Sequence, residues 1–97
     1  MNINPKNQQK IYGLIKALLP EVKIILYGSR ARGTHSESSD VDIAVKSKTK
    51  LTRVDVGEVR DVLNATNIPH KFDVVDLNRI SPDMKTIIEK EGIEWTS

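Results

Sequence analysis

Two aspartates stand one residue apart at Asp40-Val41-Asp42, and an apolar run, Ile43-Ala44-Val45, follows them. On an extended strand, residues i and i+2 share a face, with Cα atoms roughly 6.5–7 Å apart. Both carboxylates therefore project the same way. That spacing suits two divalent ions held roughly 3.5–4 Å apart. Hard cations such as magnesium take oxygen ligands and keep water and substrate phosphates as the remainder. A third carboxylate from a neighbouring strand would complete such a site. Asp73, between Phe72 and Val74, is the best placed. Asp76 is the alternative, although three positions along a strand turns it to the opposite face.

Upstream, another apolar run ends in Gly28-Ser29. Glycine lets a backbone approach a phosphate closely. Amides at a helix start point at an anion, and the Ser29 hydroxyl adds a donor. Arg30 and Arg32 would neutralise further phosphate charge. Acids that hold metal, and a Gly-Ser turn that holds phosphate oxygens, make a phosphoryl or nucleotidyl transfer site. One ion would activate the acceptor hydroxyl, and the other would stabilise the leaving pyrophosphate.

Each piece alone has an ordinary reading. Gly-Ser often ends a strand and caps a helix. An Asp-x-Asp pair often marks a solvent-facing strand edge, a lone Asp73 a surface acid, and loop arginines a solvated segment. Taken together, with apolar residues on both sides of each acid, the pieces favour a site. His35 and His70 have no metal-ligating partner at usable spacing. Phe72 and Trp95 read as core, and Lys46-Ser47-Lys48-Thr49-Lys50 as a solvated loop. No Walker A or G-x-G-x-x-G pattern occurs.

The elements that must position these residues follow from periodicity and punctuation. Asn4-Pro5 starts a helix, and Ile11, Leu14, Ile15, Leu18 and Leu19 give it one apolar stripe from about Gln8 to Leu19. Pro20 stops it. Val22 to Tyr27 is a buried strand. Ser29 caps a short helix through Ala31-Arg32 that Gly33 ends, and Thr34 to Ser39 is a loop. Asp40 to Lys46 alternates as a second strand. Leu51, Val54, Val59, Val62 and Leu63 predict a helix from about Thr52 to Ala65, weakened by Gly57. Lys71 to Leu77 is the third strand. Ser81-Pro82-Asp83 opens a last helix with Met84, Ile87 and Ile88 on its apolar face and Gly92 as its C-cap. The tail Ile93-Glu94-Trp95 packs back on the domain. The expected architecture is a three-stranded sheet covered by helices, an α/β or α+β domain over residues 1–97.

Composition narrows the function classes. The 97 residues carry a net charge of +2 and no cysteine. That charge is too small to predict bulk nucleic-acid binding, and thiol chemistry and zinc thiolates are excluded. No apolar run approaches the roughly 20 residues that span a bilayer. A cytoplasmic protein is expected. Whether it forms a homo-oligomer is left open.

Tyr27-Gly28-Ser29-Arg30-Ala31-Arg32-Gly33, Ser39-Asp40-Val41-Asp42-Ile43-Ala44 and Phe72-Asp73-Val74 together resemble the minimal nucleotidyltransferase proteins of the DNA polymerase β superfamily. Asp73 to Leu77 and Glu91-Gly92-Ile93 extend the likeness over most of the chain. The resemblance implies a small mixed sheet of about three core strands flanked by helices. It implies Asp40 and Asp42 as metal ligands, Asp73 as the third acid, and Gly28-Ser29 as the triphosphate contact. It also implies magnesium and a nucleoside triphosphate, commonly ATP. Stand-alone members pair with HEPN-domain proteins. There the nucleotidyltransferase is the antitoxin and transfers AMP to a tyrosine of the HEPN toxin, which is the function expected of this chain. Two alternatives compete. One is a nucleotide-binding antitoxin that neutralises by covering its partner without catalysis. The other is an antibiotic-modifying transferase whose acceptor pocket a homodimer would have to build.

Overall fold

The first helix starts where Asn4 caps it. Its side chain accepts the Lys6 N–H at 2.9 Å, and Pro5 supplies the first helical residue. The computed structural model describes residues 3–96; Met1, Asn2 and Ser97 lie outside them. Its elements are α1 (Pro5–Leu18), β1 (Lys23–Tyr27), α2 (Ser29–Arg32), β2 (Val41–Lys46), α3 (Arg53–Asn64), β3 (Phe72–Asp76), α4 (Pro82–Glu91) and β4 (Ile93–Trp95).

The strands form one mixed sheet in the order β3-β2-β1-β4. β1 runs antiparallel to both β2 and β4, while β2 and β3 are parallel and joined through α3. A parallel pair needs such a crossover, and a helix is the usual one. Alternation then divides the strand residues between two faces. Ile24, Leu26, Val41, Ile43, Val45, Phe72 and Val74 face α1 and α3, where Ile11, Ile15, Val56, Val59 and Leu63 complete the main core. Ile25 and Ala44 face the other way, beneath Ile88 of α4 and beside Leu77.

Helix α3 keeps Gly57 in its interior because its start is firmly fixed. Thr52 Oγ1 accepts the Asp55 N–H at 3.1 Å, and Asp55 Oδ2 accepts the Thr52 N–H at 2.9 Å, a reciprocal capping box. The expected three strands are four. The tail pairs with β1, Trp95 opposite Ile24 and Ile93 opposite Leu26, and Trp95 is buried in the main core. Gly92 makes the sharp passage from α4 into β4, since a Cβ there would collide with the Ile25 side chain and the Ile88 carbonyl. Its backbone is extended, so the lack of a side chain is what matters.

The outer edge of β3 is covered from α3. Asn64 exchanges two hydrogen bonds with the Phe72 backbone, at 2.9 and 3.0 Å. Among the described residues no helix is long and apolar enough to cross a membrane.

Candidate active site

Strand register builds the site. Tyr27 at the end of β1 lies opposite Asp42 at the start of β2, and Asp42 lies opposite Asp73 at the start of β3. The three side chains form a row across three strands, on the face that also carries α4. Asp40 stands one residue before β2 and is exposed to solvent. Asp76 is elsewhere. It points to the other face and is 5% exposed, accepting the Asn78 N–H at 2.9 Å and pairing with Arg79 Nε at 3.4 Å. It closes the turn after β3, whereas Asp73 joins the row.

Gly28 follows Tyr27 with φ +79°, a conformation that favours glycine. A Cβ there would strike Asp42 Oδ2. The backbone of residue 28 and the carboxylate of Asp42 are thus pressed together. The expected Ser29 cap is not formed. Gly28 occupies the N-cap position, and Ser29 is the first residue of α2, with no side-chain hydrogen bond capping the helix. The bond from Arg32 N–H to Gly28 O, at 3.1 Å, is the first within α2. The preceding amides, from Ser29 onward, therefore have no helical carbonyl to reach. Gly33 ends α2 in the left-handed conformation, as the sequence predicts.

A cleft of about 370 Å³ opens at the Tyr27 and Asp42 end of this row, and Asp73 does not line it. Tyr27, Gly28, Arg32 and Asp42 form its polar wall, and Met84, Ile87, Ile88 and Glu91 of α4 form the other. Met84 and Ile87 are 42% and 50% exposed, an apolar lip facing carboxylates. Arg32 Nη1 and Glu91 Oε2 approach to 3.8 Å across the cleft.

Arg30 corrects the sequence reading. The sequence reading places it on phosphate beside Arg32, but it is 4% exposed and does not line the cleft. Its guanidinium donates to the carbonyls of Ser36, Glu37 and Ser39 at 3.0–3.4 Å and meets His70 Nδ1 at 3.4 Å. It fastens the loop that delivers Asp40 and Asp42. Burial, then the charge of Arg30, holds His70 below its usual pKa.

The electrostatics of the row are those of crowded anions. Burial raises the Asp42 carboxyl above its ordinary range, and Asp73 and Asp40 raise it further, against the opposing pull of Arg32. Burial, then Asp42 and Asp73, pushes the Tyr27 phenol up to about 12. A cation would relieve this repulsion, and the donors are all carboxylate oxygens, the set a hard divalent ion prefers. Among the described residues no three His, Cys, Asp or Glu side chains close into a finished cage. Magnesium does not require one, because it keeps water and phosphate oxygens as ligands. The residues fit a site that substrate completes.

Tyr27, Arg60 and the α4 wall were not singled out from sequence. The signal for Tyr27 was its place directly before Gly28. Arg60, on α3, stands 3.5 Å from Asp73 through Nε. It looks like any polar helix residue until β3 is placed beside it.

The family model described as polymerase beta, nucleotidyltransferase, matches residues 9–96. The protein adenylyltransferase MntA of Shewanella oneidensis is 34% identical over 76 residues, which cover 77% of this chain and 54% of that protein. The chain thus spans about half the length of that relative. A toxin–antitoxin crystal structure with AMP-PNP superposes with a TM-score of 0.80 at 30% identity, covering 94% of this chain and 74% of the other. A structure of the tri-AMPylated Shewanella oneidensis HEPN toxin in complex with MNT antitoxin gives a TM-score of 0.76 at 26% identity, covering 100% of this chain and 74% of that one. The family match runs over nearly the whole chain and across every strand of the sheet, and the chain belongs to the polymerase beta nucleotidyltransferase family.

Proposed function

We propose that this chain is an antitoxin that transfers AMP from ATP to a tyrosine hydroxyl of a HEPN-domain toxin. The observation that carries the reading is the row of Asp42 and Asp73 beside a glycine pressed against Asp42. The likeness to an MntA protein adenylyltransferase and to an AMPylated HEPN complex supports the choice of AMP and of the acceptor.

In this reading Asp40, Asp42 and Asp73 hold magnesium. Bound there, it would neutralise the triphosphate and polarise the acceptor hydroxyl. Gly28 and Ser29 receive the triphosphate through backbone amides and the Ser29 hydroxyl, which no cap occupies. Arg32, at the polar wall, adds positive charge. The acceptor oxygen bonds to the α-phosphorus, the bond to the bridging oxygen breaks, and pyrophosphate leaves. Asp73, whose side chain is 53% exposed, is the carboxylate open to an arriving acceptor, and the acceptor's proton passes to solvent.

The test is to mix the chain with a HEPN-domain protein from the same genome, magnesium and ATP, and to read the partner by intact-mass spectrometry. Added AMP is expected, and none with Asp42→Ala, while the two proteins still co-purify. Protection of cells from the toxin by Asp42→Ala at the wild-type level would instead favour the non-catalytic antitoxin.

A further inference from the structure

Helix α3 reaches the free edge of β3 at two points one turn apart. Asn64 pairs with the backbone of Phe72 and touches the edge alone. Arg60 does more. Its Nη2 donates to Val74 O at 3.0 Å, and its Nε stands 3.5 Å from Asp73 Oδ1. The same Oδ1 accepts the Val74 N–H at 3.0 Å. Arg60 Nε is shielded from solvent and hydrogen-bonds to no described atom, so the Asp73 carboxylate is what it faces.

This closed arrangement of Arg60, Val74 and Asp73 assigns one oxygen of the carboxylate. Asp73 sits on an edge strand with about half its side chain in water, where a carboxylate ordinarily samples several rotamers. Two protein groups on Oδ1 restrict that sampling. We infer that Arg60 is a positioning residue for the third acid: with the Val74 amide it commits Oδ1 to the protein and presents Oδ2 to the cation shared with Asp42. The inference rests on the cation site proposed above.

Charge alone predicts the reverse effect. An arginine near a cation repels it, so a purely electrostatic Arg60 would weaken cation binding and its removal would tighten it. A guanidinium that orients a ligand acts oppositely, because losing such an outer contact typically weakens metal affinity 10–100-fold. Binding of Mn²⁺ to the full chain, measured by isothermal titration calorimetry, therefore separates the two. Arg60→Gln is expected to weaken Mn²⁺ binding about 10-fold or more, and Asn64→Ala, which loosens the same edge, to leave it within about twofold. Arg60→Lys keeps the charge, is the milder change for folding, and loses the two-nitrogen fork; it is expected to weaken binding as well. Unchanged or tighter binding in Arg60→Gln, wild-type affinity in Arg60→Lys, or an equal loss in Asn64→Ala overturns the inference. A wild-type chain that binds no Mn²⁺, or binds it equally with Asp42→Ala, overturns the cation site itself and the inference with it.

Discussion

At the residue scale, Asp42 is strained by its own purpose. Its folded pKa lies above the unfolded value because burial and two neighbouring carboxylates penalise the charged form. The native state therefore holds its proton to higher pH than the unfolded chain does. Stability falls as pH rises from the ordinary aspartate range through the folded pKa, and the penalty is complete at neutral pH. Asp42→Asn is expected to raise the melting temperature at pH 7 in metal-free buffer and to abolish transfer. The gain should shrink as pH falls through the folded pKa and vanish below about 4, where the unfolded carboxyl also protonates. Thermal scans across pH check this, and a variant less stable than wild type at pH 7 refutes it. The acids were legible because period-two alternation names a face without any tertiary knowledge. Arg30 and Arg60 were not. Arg30 reads as a phosphate contact beside Arg32 until three carbonyls of one loop converge on it. Arg60 reads as solvent-facing until a sheet edge lies beneath it.

At the element scale, β4 was the strand the sequence concealed. Three residues, Ile93-Glu94-Trp95, are too few to display alternation, and they follow α4 after a single glycine. What defines the strand is its partner β1 and the burial of Trp95. Trp95→Ala is accordingly expected to cost about 3–5 kcal/mol in urea unfolding, a large share of the stability of a small domain. A loss below about 1 kcal/mol, the scale of an ordinary surface-to-average change, would mean that β4 adds little. Helices α1, α3 and α4 were legible from their caps and stripes, with boundaries within a few residues of those predicted. α2 was legible in place, but not in its cap. Gly28 takes that position because only a residue without Cβ fits against Asp42.

At the scale of the whole molecule, the sheet separates stability from chemistry. One face is filled by α1 and α3, and the other is covered by α4 around Ile25 and Ala44, with the carboxylate row at the strand ends. Ligand binding should therefore add to stability without repacking the core. At a hundredfold excess over its dissociation constant, a ligand contributes about 2.7 kcal/mol. In a domain of this size each kcal/mol moves the melting temperature about 4–8 °C. Magnesium with a non-hydrolysable ATP analogue is expected to raise the midpoint by roughly 10–20 °C at that excess. Chelation should reverse the shift, and Asp42→Asn should not show it. Differential scanning fluorimetry reads all three, and an equal shift in the variant would place the nucleotide elsewhere.

Sheets recruit foreign strands through backbone groups left bare at their margins. Beside the carboxylate row that margin is already answered: Phe72 by Asn64, the Val74 carbonyl by Arg60, and the Val74 amide by Asp73 itself. A crowded or partly aggregated population therefore has no template to copy at β3. The opposite margin of the sheet is β4, two strands away from Asp42.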